Sequence, residues 1–141
     1  MTTVATRILK DIPAKADTYD ALNFLEINAV KGIYLEVIKD FTKLNDIILS
    51  SLFNIDVKTY RKYRSEKSKL LKPNIQEYTV MLLSLYKHGQ TVFGAIEEFN
   101  SWLGKENFYF DNKPPKQFLE TISGIKFIDD RLTAIEYGDN V

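Results

Sequence analysis

The chain of 141 residues contains no cysteine, only one histidine and only one tryptophan. Without cysteine it can form no disulfide, and it has no thiol nucleophile or thiolate metal site. No apolar run approaches the roughly 20 residues that cross a bilayer. Residues 1–20 also lack the continuous apolar stretch of a secretory signal. These absences predict a cytoplasmic protein without a membrane partner.

The composition is that of a protein with a buried core. Hydrophobic residues make up 45% of the sequence and aromatic residues 13%, which excludes general disorder. The formal net charge is zero, but residues 56–73 carry a net charge of +5 and residues 97–141 a net charge of −4. Two regions of opposite sign indicate two surfaces with different partners.

No residues form the pattern of a catalytic or metal site. His88 has no serine or carboxylate arranged around it in the sequence, so it is predicted to lie on the surface of a helix. The pairs Glu97–Glu98 and Asp129–Asp130 are neighbours, and helical neighbours point about 100° apart, so they do not converge on one proton or metal ion. The sequence therefore predicts no enzyme, no metal and no cofactor.

The spacing of apolar residues predicts an all-α protein, since no segment alternates in the way of a strand. Residues 1–17 include Pro13 and show no clear period, so they are expected to form a flexible arm. Residues 18–93 are expected to form a helical bundle and residues 94–141 a smaller helical domain. The first helix of the bundle is expected to start at Thr18 and to present an apolar face of Leu22, Leu25, Ala29 and Ile33. Further helices are expected over 73–93, 95–103, 114–121 and 124–137.

The stretch LNDIILSSLFNIDVKTYRKY, residues 44–63, has the order helix, short turn, helix. Asn45 is predicted to cap the first helix and Asp56 the second. Asn54 is predicted to take a positive φ at the turn, which asparagine tolerates well. Tyr60 is predicted to face the core. This order is typical of a helix-turn-helix.

The basic run on the second of these helices has two interpretations. It is either a solvated helix face or the face of a recognition helix, on which residues near the N-terminus reach bases and longer cations reach phosphates. The helix-turn-helix context favours the second interpretation. Lys43 precedes the first helix and is a candidate phosphate contact. The candidate DNA-binding residues are Lys43, Lys58, Thr59, Arg61, Lys62 and Arg64.

Three later stretches follow in order, VFGAIEEFNSWLGKEN, KPPKQFLETISG and LTAIEYG. With the helix-turn-helix they resemble the Xre/MbcA/ParS-type antitoxins, in which an Xre-like helical region precedes a C-terminal toxin-binding domain. The resemblance covers roughly residues 32–138. Its most specific marks are Trp102-Leu103, Asn107, Pro115, Leu119, Thr121, Gly124 and the run Ile135–Gly138.

Two positions depart from the family pattern. The family often has glycine at the turn where this chain has Asn54. It also commonly ends the following loop with a Gly-Gly pair, where this chain has Asp111-Asn112. At the turn, asparagine tolerates a positive φ better than any other non-glycine residue.

The resemblance implies an antitoxin that neutralises a cognate toxin, commonly one with a RES domain that attacks NAD, and that represses its own operon. A homodimer is expected, because two recognition helices about one DNA turn apart match a palindromic operator. The candidate toxin-binding residues are Trp102, Asn107, Phe108, Phe110, Glu136, Tyr137 and Gly138. Alternatively, Trp102 is structural, and Phe108 and Phe110 fix the loop to the core.

The sequence is also consistent with other functions. The main alternative is a protein-binding module whose helix-turn-helix is vestigial and does not bind DNA. A transcription regulator without a toxin and an enzyme are further alternatives.

Overall fold

A computed structural model describes residues 2–141, while Met1 lies outside the described residues. The described part of the chain is all-α, as predicted, and it contains no strand. The helices are α1 (Thr3–Asp11), α2 (Thr18–Ile27), α3 (Ile33–Thr42), α4 (Asp46–Leu52), α5 (Val57–Ser65), α6 (Pro73–Phe93), α7 (Ile96–Leu103) and α8 (Ile122–Glu136). Two 3₁₀ turns cover Phe108–Phe110 and Pro115–Phe118. None of the helices in residues 2–141 has the length and apolar character needed to span a membrane.

The long helix α6 lies at the centre of the fold and contacts α2, α3, α7 and α8. Every residue from Tyr78 to Tyr86 is buried, so this helix is covered on all sides. It starts at Pro73, whose missing N–H is not needed at that position, and it ends at Gly94 with φ 85°. Both ends agree with the prediction.

Gly89 lies inside α6, where a glycine normally weakens a helix by about 1 kcal/mol relative to alanine. Its role is to admit the ring of Phe99 from α7, because a Cβ at this position would come within 2.4–2.5 Å of three ring atoms. The Phe99 ring is fully buried, stacks on Trp102 at 6.0 Å and meets Tyr86 edge-on at 5.0 Å. This close approach sets the position of α7 on α6.

The N-terminal segment differs from the expected flexible arm. Residues 3–11 form α1, and Ala5, Ile8 and Ile12 are buried at the three- and four-residue spacing of a helix face. Lys87 of α6 donates from Nζ to the main-chain oxygens of Leu9, Lys10 and Ile12 at 2.8, 3.1 and 2.7 Å. The ammonium group thus satisfies carbonyls that the end of α1 leaves open, and burial lowers the pKa of Lys87.

The inner face of α2 also differs from the expected one. Ala21 and Phe24 are buried, whereas Leu22 is exposed and Leu25 is only partly buried. The Phe24 ring meets the ring of Tyr34 edge-on at 6.4 Å. The helix is therefore rotated by about one residue from the face that apolar spacing predicts.

We expect Gly89→Ala to lower the free energy of unfolding by about 1–3 kcal/mol, because the new methyl group overlaps the Phe99 ring. This loss outweighs the gain in helix propensity. Urea denaturation measures it, and Gly104→Ala is the matched control. A Cβ at Gly104 has its nearest neighbours at 3.6 and 3.7 Å, so that variant should stay within about 0.5 kcal/mol of the parent. Equal stabilities of both variants would contradict the close approach.

Candidate functional site

The basic region lies on two short helices joined by a tight turn. The side chain of Asn45 accepts from Ile48 N at 2.9 Å at the start of α4, and Asp56 accepts from Thr59 N at 2.8 Å at the start of α5. Asn54 in the turn has φ 56°. The two predicted caps and the predicted positive φ are therefore confirmed.

Tyr60 fixes α5 to the core. Its side chain is fully buried, its hydroxyl donates to the main-chain oxygen of Leu35 at 3.0 Å, and its ring lies 5.9 Å from that of Phe53. Burial raises the pKa of Tyr60. The predicted inward position of this residue is confirmed, and the opposite face of α5 points outward.

Asp46 binds three cations, an arrangement that the sequence does not predict. Arg61 donates from Nε to Oδ2 at 2.9 Å, Arg64 binds both carboxylate oxygens, and Nζ of Lys39 lies 2.9 Å from Oδ1. Burial acts to raise the pKa of Asp46, but the hydrogen bonds to the cations outweigh it and lower that pKa well below its usual range. Arg64 also lies over the Tyr60 ring at 5.6 Å. The carboxylate thus ties α4 to α5.

The candidate DNA-binding residues therefore fall into two groups. Arg61 and Arg64 are engaged by Asp46, and Thr59 donates from its hydroxyl to Asp56 at 3.0 Å. The other group consists of Lys43, Lys58 and Lys62, which are exposed and form no ion pair with any residue in the range 2–141.

The loop before the second 3₁₀ turn is organised by Asn107. Its side-chain oxygen accepts from Tyr109 N at 3.0 Å, and its amide nitrogen donates to the main-chain oxygen of Val141 at 3.0 Å. Asp111 and Asn112 have φ 58° and 61°. These two residues thus adopt the left-handed conformation that a Gly-Gly pair adopts readily.

The three consecutive aromatic residues of this loop have different environments. Phe110 is 1% exposed and packs against Trp102, Phe118 and Phe127 at ring distances of 5.8, 5.4 and 5.2 Å. Phe108, by contrast, is 76% exposed. Trp102 is also buried. Phe110 and Trp102 therefore belong to the core, in agreement with the alternative interpretation that these two residues are structural. Phe108 is presented at the surface.

The residues after α8 fold back onto this loop. Gly138 has φ 96° and reverses the chain. Trp102 donates from Nε1 to the main-chain oxygen of Val141 at 3.1 Å, next to the donor from Asn107. Arg131 binds the main-chain oxygen of Asn140 and lies 3.1 Å from Asp139. We call Trp102, Asn107 and Arg131 the tail clamp.

The prediction that His88 is a surface residue is wrong. The side chain is buried, its Nδ1 lies 2.8 Å from Oδ1 of Asp129, and its Nε2 bonds to Glu136. Asp129 also accepts from Ala16 N at 2.9 Å, and Lys15 lies 3.8 Å from Glu136. Asp129 and Glu136 are seven residues apart and thus share one face of α8. That spacing was the only signal of this cluster in the sequence.

The charge of this cluster follows from its geometry. Burial acts to lower the pKa of His88, but the hydrogen bonds to Asp129 and Glu136 outweigh it, so the pKa is raised. The pKa of Glu136 is lowered, chiefly by its hydrogen bond to His88. The two carboxylates bond opposite nitrogens of the ring and do not converge on one point. Within residues 2–141 no group of three or more histidine or acidic side chains is arranged to hold a metal ion.

The free energy of unfolding is expected to fall as the pH rises above about 6.5, the usual pKa of histidine. Because folding raises the pKa of His88, its contribution is fully present below that pH and is lost as the pH rises through the folded value. Urea denaturation at a series of pH values from about 6 to about 9 measures this loss. His88→Gln takes up no proton, so its slope in this range should be smaller. Identical slopes in parent and variant would contradict a charged His88.

Comparison with known proteins bears on the C-terminal half of the chain. No curated protein matches the sequence. A family model does match, over a range that begins at His88 in α6 and ends at Gly138, so that it contains the tail clamp and the side chains of His88, Asp129 and Glu136. The match supports an antitoxin role in a toxin–antitoxin system, with a toxin as partner. Residues 88–138 are similar to the antitoxin Xre/MbcA/ParS C-terminal toxin-binding domain.

Proposed function

We propose that the chain is the antitoxin of a type II system, which inhibits its toxin through its C-terminal surface and represses its own operon through α5. The observation that carries the proposal is the match of residues 88–138 to a toxin-binding domain. The opposite charges of residues 56–73 and 97–141 support a separate surface for each partner.

The toxin-binding surface is proposed to consist of the exposed side chains around the tail. Tyr137 is 84% exposed, and Phe108 is similarly open. The carboxylate of Asp111 is 88% exposed, and that of Asp139 is half-exposed and paired with Arg131. Exposed aromatic rings among polar groups are typical of protein interfaces. The buried candidates Trp102, Asn107 and Phe110 support this surface from beneath, and Glu136 is held by His88.

The toxin is proposed to be of the RES type that attacks NAD, on the basis of the family resemblance. An enzyme that binds NAD must offer cationic or donor groups to the pyrophosphate. A segment with a net charge of −4 complements such a cleft.

We expect Tyr137→Ala to weaken binding of the proposed RES-type toxin by at least about tenfold, as loss of an interface hot spot does. Calorimetry measures the affinity, and rescue of growth on co-expression measures neutralisation. The matched control is Tyr19→Ala, since Tyr19 is also exposed but lies on α2, outside the matched range. Both variants should melt within a few degrees of the parent. Full affinity of Tyr137→Ala would exclude the tail as the inhibitory surface.

DNA binding is proposed to use the exposed lysines of α5 together with Lys43. Lys58 and Lys62 lie on the face opposite the buried Tyr60, free of carboxylate partners in the described chain. Lysine is suited to phosphate contacts. A homodimer is proposed, because two such helices about 34 Å apart match two successive major grooves.

One observation favours the alternative, a protein-binding module with a vestigial helix-turn-helix. The two arginines of α5, Arg61 and Arg64, bind Asp46. Arginine is the residue that most often reads guanine, whereas lysine mainly contacts the backbone. With both arginines engaged, α5 has few groups left to read bases.

Binding to a DNA fragment from the chain's own promoter separates the two proposals. We expect Lys58→Ala/Lys62→Ala to weaken binding and to reduce the slope of log K against log salt by about 2 units, one for each lost phosphate contact. The control Lys10→Ala/Lys126→Ala removes two exposed lysines elsewhere and should leave the slope unchanged. Toxin neutralisation should persist in both. If the parent shows no specific, salt-dependent complex, the vestigial alternative holds.

A further inference from the structure

The segment from Glu136 to Val141 is attached at both ends and exposed in its middle. At its start Glu136 bonds to His88, which is buried. At its far end the main-chain oxygen of Val141 accepts from both Trp102 and Asn107. Between these two attachments Tyr137 projects into solvent. The main-chain N–H groups of Tyr137, Gly138 and Asp139 also donate to carbonyls of the last turn of α8. Only the stretch beyond Asp139 therefore depends on its far attachment, and it lies next to one displayed aromatic side chain.

The tail clamp is buried, so its side chains are poorly placed to contact a partner directly. Trp102 and Asn107 are both buried, and the side chain of Arg131 is only 11% exposed. The guanidinium of Arg131 lies 3.5 Å above the ring of Tyr109, which restrains its orientation. Three donors from α7, the loop and α8 thus converge on one short stretch of backbone.

The tail clamp binds the tail chiefly through main-chain oxygens. Trp102 and Asn107 donate to the main-chain oxygen of Val141, and Arg131 donates to that of Asn140. The only side chain of the tail that the clamp holds is Asp139, through Arg131. Release of the tail would leave these buried donors without acceptors, which is unfavourable. The clamp therefore holds the path of the backbone.

We propose that Trp102, Asn107 and Arg131 are positioning residues for toxin recognition, which hold residues 139–141 in one conformation next to Tyr137 and so present this surface to the toxin in its binding geometry. This inference rests on the proposed toxin-binding function. A segment that is ordered before binding loses less conformational entropy on binding. When the clamp is weakened, the apparent Kd rises by the reciprocal of the fraction of molecules whose tail is in place.

The test uses Trp102→Phe, which removes one N–H donor and keeps an aromatic ring beside Phe99 and Phe93. The first measurement is the backbone order parameter of Asn140 and Val141 by NMR relaxation. It should fall from the value of rigid backbone, about 0.85, toward that of flexible backbone, below about 0.6. The second is the Kd for the proposed RES-type toxin, which should rise about three- to tenfold.

The control is Phe93→Leu, which disturbs the same aromatic cluster but removes no donor to the tail. It should leave the order parameters of Asn140 and Val141 and the Kd unchanged. If both variants change these quantities equally, the effect belongs to the core, and the clamp is not a positioning device. Unchanged order parameters in Trp102→Phe also overturn the proposal.

The measurements of toxin affinity separate this inference from the proposed function. If Trp102→Phe loosens the tail, leaves the Kd unchanged, and Tyr137→Ala still weakens binding, the positioning role is wrong and the antitoxin surface stands. If the chain does not bind the toxin at all, the proposed function is wrong and the positioning role falls with it. The proposal is supported if Trp102→Phe makes the tail mobile and weakens the complex with the toxin, while Phe93→Leu does neither.

Discussion

The contact between Phe99 and the bare backbone of Gly89 is the constraint on which the C-terminal half depends. It brings α7 against α6, and the stacked rings of Phe99 and Trp102 then form the base on which Phe110 packs. Because Phe110 is anchored there, the neighbouring Phe108 is turned outward. The lack of a side chain at Gly89 in α6 thus determines which aromatic residues are available to a partner.

Buried polar groups then join elements that are far apart in the sequence. Asp46 connects α3, α4 and α5, while His88 connects α6 to α8 and, through Asp129, to the backbone at Ala16. Lys87 fixes the end of α1. A buried charge is tolerated only when it is paired and hydrogen-bonded. Each cluster therefore requires the simultaneous presence of several elements, and this favours a single arrangement of the helices.

The sequence predicted what depends on local chemistry. The caps at Asn45 and Asp56, the positive φ of Asn54 and the ends of α6 follow from residues within a few positions of each other. It did not predict the pairing of His88 with Asp129, 41 residues away, because no local pattern encodes such a contact. It did not predict α1. It also did not predict the inner face of α2, because two adjacent apolar stripes on a helix differ only in what packs against them. The sequence likewise identified the candidate toxin-binding residues. It did not show that three of them, Trp102, Asn107 and Phe110, are buried.

The attachment of the tail to Trp102 also gives the chain an intrinsic optical signal. The sequence has one tryptophan, and its indole N–H is bonded to the backbone of Val141. The emission wavelength of an indole depends on its hydrogen bonding and on its contact with water. Detachment of the tail therefore shifts the ultraviolet fluorescence of the unlabelled protein, and stopped-flow mixing follows that event in real time without a dye or an isotope.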